Sequence, residues 1–82
     1  MTVKMITGDN CSNCTLLKAM LHMMKLSDDI ELVDAYSTEG SRLIGITGAR
    51  SIPVLVKDDE KQVSALHGIN HTDKTFKEFI QG

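Results

Sequence analysis

The only two cysteines of this 82-residue chain stand three positions apart, in Cys11-Ser12-Asn13-Cys14. A bridge between them closes too small a loop to constrain the unfolded chain much, so the pair reads as reactive rather than as a structural staple. Thiols at i and i+3 of a helix start are neighbours and can bond to each other during turnover. The preceding Thr7-Gly8-Asp9-Asn10 favours a loop, which puts Cys11 at a helix N-terminus. Unpaired backbone N–H groups and the helix dipole stabilise negative charge there, and a thiolate is the reactive form of cysteine. Cys11 is therefore the expected nucleophile. Cys14, one turn further in and aligned with Leu17 and Leu21, is expected to be buried and to attack a mixed disulfide formed at Cys11.

The same residues admit other readings. Cys14 can be a small core residue and Cys11 an incidental N-cap, leaving a non-catalytic adaptor. A zinc site takes four ligands and would have to recruit His22, His67 and His71, each more simply a polar surface or loop residue. No metal site is expected. Small Cu(I) carriers also place C-x-x-C after a first strand, and thiolates suit that ion. They resemble a Met-x-Cys-x-x-Cys pattern, however, and Asp9 stands where their methionine would be. Met20, Met23 and Met24 read as core filling rather than as a metal face, and His22, four residues after Lys18, as part of a solvent-facing pair.

The elements that position the pair follow from periodicity. Val3, Met5 and Ile6 form a first strand. Leu17, Leu21 and Met24, widened by Leu16, Met20 and Met23, predict a helix from about Cys11 to Leu26. Ser27-Asp28-Asp29 breaks it, and Ile30 to Asp34 reads as a largely buried second strand, reached by a parallel right-handed crossover. Ser37 to Ser41 offers caps for a short helix carrying Leu43, Ile44 and Ile46 and ending at Gly48. Ile52-Pro53-Val54-Leu55-Val56 is a third strand with its proline at the start. Asp58-Asp59-Glu60-Lys61 is a polar turn into an antiparallel fourth strand, Gln62 to Leu66. Asn70 or Thr72 caps a last helix with Phe76, Phe79 and Ile80 at helical spacing. The order is βαβαββα: an α/β fold with a small mixed four-stranded sheet flanked by helices, one domain over 1–82.

Composition narrows the function classes. With a net charge of −2 and 24% charged residues, no broad basic face is available to a phosphate backbone, so no nucleic-acid partner is expected. The longest apolar stretch is far short of the roughly 20 residues of a membrane span, and no membrane partner is expected. Met1-Thr2-Val3-Lys4 leads directly into a strand without an apolar signal segment. The expectation is a cytoplasmic monomer.

Val3 to Cys14, continued by Leu16-Leu17-Lys18-Ala19-Met20-Leu21, resembles the opening of glutaredoxins and related thioredoxin-fold proteins. Gly48-Ala49-Arg50-Ser51-Ile52-Pro53-Val54-Leu55-Val56 resembles the glutaredoxin segment in which Thr-Val-Pro precedes strand three. His67-Gly68-Ile69-Asn70 resembles the family's Gly-Gly-x-Asp turn before the last helix. The resemblance implies a thioredoxin-like (glutaredoxin) fold and a dithiol thiol-disulfide oxidoreductase that uses Cys11 and Cys14. It implies a cis proline at Pro53 facing the thiols, with the Ile52 backbone docking substrate, and substrate-binding roles for Arg50, Ser51, Ile52, Pro53, Gly68 and Asn70. It implies disulfide-containing protein substrates, ribonucleotide reductase among the candidates. It implies no bound cofactor, with electrons supplied by glutathione as co-substrate or by a flavin-dependent thioredoxin reductase. The chain departs from the family at Ser12-Asn13, where Pro-Tyr is usual, at Gly8, where many members carry lysine, and at Asn70, where aspartate is usual. These departures predict slow turnover with glutathione, with Arg50 and Lys18 left to meet its carboxylates. Thioredoxin itself fits worse, because its site carries a tryptophan and this chain has none.

Overall fold

Val3 and Met5 on one side of the first strand, and Ile6 on the other, are all buried, because helices cover the sheet on both faces. The computed structural model describes residues 3–58 and 61–82. Met1 and Thr2, and Asp59 and Glu60 of the expected polar turn, lie outside the described residues. The elements are β1 (Val3–Thr7), α1 (Ser12–Met23), a short 3-10 turn (Ser27–Asp29), β2 (Ile30–Asp34), α2 (Thr38–Thr47), β3 (Val54–Asp58), β4 (Val63–His67) and α3 (Asp73–Gln81). The sheet is mixed, in the order β2-β1-β3-β4. β1 runs parallel to β2, with Val3 opposite Ile30, and antiparallel to β3, with Ile6 opposite Val54. β4 closes the other edge, antiparallel to β3, with Val54 opposite His67.

Two cores result. Met5 and Leu55 pack with Cys14, Leu17 and Leu21 of α1 and Phe76 of α3. On the opposite face Ile6, Val54 and Val56 pack with Leu43 of α2 and with Ala35. A small α/β domain with a four-stranded mixed sheet and three helices is thus what positions the cysteines.

Local chemistry sets the helix ends. Ser37 caps α2 by accepting the Gly40 N–H at 3.0 Å, and Gly48 ends it at φ 69°, a left-handed conformation that suits glycine. Thr72, not Asn70, caps α3, accepting the Thr75 N–H at 3.1 Å. α1 is shorter than its apolar pattern predicts. Lys25 adopts φ 61°, and the N–H groups of Lys25 and Leu26 return to the carbonyls of His22 and Leu21 at 3.0 and 2.9 Å. This Schellman-type stop turns Leu26 back into the core, so its apolar side chain continues the pattern after the helix has ended.

Two burial expectations are corrected. β2 is an edge strand in which only Val33 is buried, while Leu32 stays 54% exposed. Met23 is not core filling: it is 82% exposed, while Met20 and Met24 flank the core.

Candidate active site

β1 delivers the chain to the site at Thr7, and Gly8-Asp9-Asn10 forms the loop that follows. Asn10 takes φ 56°, a left-handed conformation that asparagine tolerates better than most side chains. The turn leaves Cys11 in extended conformation as the N-cap of α1. Its Sγ accepts the Cys14 N–H at 3.1 Å, and its carbonyl accepts the Thr15 N–H at 3.2 Å. Sulfur here does what a serine or aspartate oxygen does at other helix starts. The Cys14 N–H aimed at this sulfur, at the N-terminal end of the helix, is the kind of donor that accommodates negative charge. No acidic residue of the first turn of α1 opposes that charge.

Cys14 is 1% exposed, whereas Cys11 is half-buried and borders an open polar cleft lined by Gly8, Asp9, Asn10, Ser12 and Thr15. The two sulfurs are bonded to each other, across a Cα–Cα distance of 5.2 Å. Access and protection are thus divided between the cysteines as their spacing predicts.

Opposite the pair, the Ile52-Pro53 peptide bond is cis and Pro53 is fully buried. The Ile52 carbonyl oxygen lies 3.9 Å from Cys11 Sγ. Ile52, just ahead of β3, takes part in no backbone hydrogen bond among the described residues. The Gly68 N–H, expected as a donor for substrate, is occupied: it donates to the Pro53 carbonyl at 3.0 Å and ties the end of β4 to the proline segment. Arg50 and Ser51 are exposed and line a groove beside Ile52. Asn70 is exposed between β4 and α3 and makes no hydrogen bond to the other site residues. Lys18 lines a separate cleft between α1 and β2, with Met5, Leu21 and Ile30, so Arg50 alone of the two expected cations borders the Ile52 groove.

The histidines do not converge. His71 Nε2 donates to the His67 carbonyl at 2.7 Å, and its ring meets Phe76 edge-on at 5.5 Å, while His22 lines the α1/β2 cleft. Among the described residues no three His, Cys, Asp or Glu side chains gather as a metal centre would need.

Two residues at the site are not singled out by the sequence. Tyr36 follows β2, is 87% exposed and lines the Ile52 groove. A Cβ at Gly8 would lie 2.9 Å from Ile52 Cδ1 and 3.9 Å from Tyr36 Cε2, so Gly8 sits between these side chains. The available signal was positional: a lone tyrosine at the C-terminal end of a strand parallel to β1, where α/β sheets bind ligands. The second is Thr7, whose buried Oγ1 has no hydrogen-bond partner among the described residues. No family model matches the chain, and no curated protein does.

Proposed function

We propose that this protein is a dithiol thiol-disulfide oxidoreductase of the glutaredoxin kind, built on a thioredoxin-like fold and working in a reducing compartment. One observation carries the reading: Cys11 Sγ caps α1, bonded to a buried Cys14 and 3.9 Å from an Ile52 carbonyl that no backbone N–H occupies among the described residues. The β2-β1-β3-β4 order and the cis Ile52-Pro53 bond agree with the resemblance to glutaredoxins.

In the reduced protein the Cys11 thiolate attacks one sulfur of a substrate disulfide. A Cys11–substrate disulfide forms, and the other substrate sulfur leaves as a thiolate that takes a proton from water. Cys14 then loses its proton and attacks Cys11 Sγ. The Cys11–Cys14 bond forms, and the second substrate sulfur departs as a thiolate. Two electrons have passed from the cysteine pair to the substrate. An external thiol or a flavin-dependent reductase must return them.

Glutathione serves as a slow donor in this reading. Its carboxylates meet Arg50, while Asn70 is a neutral partner for its ammonium group and Gly68 offers no free N–H. A charge-assisted hydrogen bond contributes about 1.5–3 kcal/mol, so the loss of one weakens binding by about tenfold or more.

The test is reduction of insulin disulfides by dithiothreitol. Wild type accelerates it and Cys11→Ser does not, while pre-reduced Cys14→Ser mixed with insulin in the absence of dithiothreitol accumulates a mixed disulfide at Cys11. Equal acceleration by Cys11→Ser would overturn the reading.

A further inference from the structure

The groove beside Ile52 is lined by Tyr36, Ile44, Ala49, Arg50 and Ile52, with Ala35 and Ser51. Its volume is about 230 Å³, below the roughly 300–1,000 Å³ of ordinary small-molecule sites, which makes it the size of a side-chain pocket. The lining is mostly apolar. Arg50 is the one charged residue in it, and forms no ion pair among the described residues. Tyr36 stands almost fully in water at its rim, at a cost that an aromatic ring usually offsets by covering something.

The groove lies on the α2 face of the sheet, since Ile44 and Ala49 pack against the core of Ile6 and Leu43. Cys11 packs on the opposite face, with α1 and α3. An extended chain alternates its side chains between two faces. A substrate strand that pairs with the N–H and C=O of Ile52, which make no backbone hydrogen bond among the described residues, and turns its cysteine toward Cys11, therefore sends the next side chain to the α2 face. We propose that this groove is a specificity pocket for an extended segment of a protein substrate that carries a large apolar residue beside its reactive cysteine and a carboxylate one or two positions further on. The apolar side chain enters between Tyr36 and Ile52, and the carboxylate pairs with Arg50. Glutathione does not fit this description, because the γ-glutamyl and glycyl groups flanking its cysteine offer no apolar side chain.

The proposal rests on the redox reading above, and the test separates the two. Symmetric disulfides are made from short peptides with leucine beside the cysteine and glutamate next to it, on either side, together with leucine-to-serine and glutamate-to-lysine versions. Each reduction rate is divided by that for bis(2-hydroxyethyl) disulfide, which has no flanking residues and reports on the cysteine pair alone. Wild type should prefer the leucine-glutamate peptide in one orientation by about tenfold over either altered version. Tyr36→Ala should remove the leucine preference, and Arg50→Glu should invert the choice between glutamate and lysine. Preferences that persist in both variants overturn the pocket, as does a loss in Tyr36→Ala that is equally large for glutathione disulfide. Failure to reduce any disulfide, the small one included, overturns the redox reading and the pocket with it.

Discussion

The sulfur of Cys11 has two duties that substitution can separate. As N-cap it accepts the Cys14 N–H, a service an oxygen performs as well; as the nucleophile of the proposed reaction it would have no such replacement. Cys11→Ser should keep the stability of the reduced protein within about 0.5 kcal/mol in urea unfolding while abolishing disulfide exchange, whereas Cys11→Ala should lose about 0.5–2 kcal/mol as well as activity. Equal stability of the two variants would mean that the cap contributes nothing. Thr7 offers a second test. Its buried hydroxyl has no partner among the described residues, and an unsatisfied group of this kind costs about 1–3 kcal/mol relative to one that is satisfied. Thr7→Val keeps the shape and removes the hydroxyl, so thermal unfolding should move to higher temperature; a lower melting temperature would show that the hydroxyl is bonded in solution.

Between elements, Lys4 of β1 reaches Glu39 of α2, and this pair links the sheet to its helix. The hydrogen bond to Glu39 raises the Lys4 pKa above its ordinary 10.5, aided by the charges of Glu39, Glu31 and Asp58 and opposed by burial. A raised lysine pKa contributes stability that is fully present below the unfolded value and is lost as pH rises through the folded one. Lys4→Met should therefore cost up to about 1 kcal/mol near neutral pH, a difference that fades above pH 10.5; a gap unchanged into strong alkali would contradict the assignment. What the sequence discloses about elements follows the same division between local and long-range effects. Gly48, and Ser37 and Thr72 as candidates among near neighbours, were readable because caps depend on a few adjacent residues. The exposure of Leu32 was not, since β2 becomes an edge only through the β2-β1-β3-β4 order. Tyr36 was missed for the same reason: its place at the site follows from the parallel register that sets Asp34 beside Thr7.

At the scale of the whole molecule, two cores on opposite faces of one sheet hold the Cys11 loop and the Ile52-Pro53 segment against each other. The proximity of the two cysteines and the burial of Cys14 were legible because they depend on four consecutive residues and the helix pattern that follows. The Ile52 landmark was legible by resemblance, but the occupied Gly68 N–H, the remote Lys18 and the Tyr36 groove emerge only when distant segments meet. The central claim is that this pair passes its electrons to a disulfide in another protein. The most direct measurement is a single turnover: fully reduced protein is mixed with insulin and no other reductant, quenched in acid, alkylated and weighed by mass spectrometry. One Cys11–Cys14 bond should form for every insulin disulfide opened, with Cys14→Ser stopping at the Cys11–insulin adduct. Insulin disulfides that stay closed while the cysteines remain alkylatable, or that open equally with Cys11→Ser, would contradict the account.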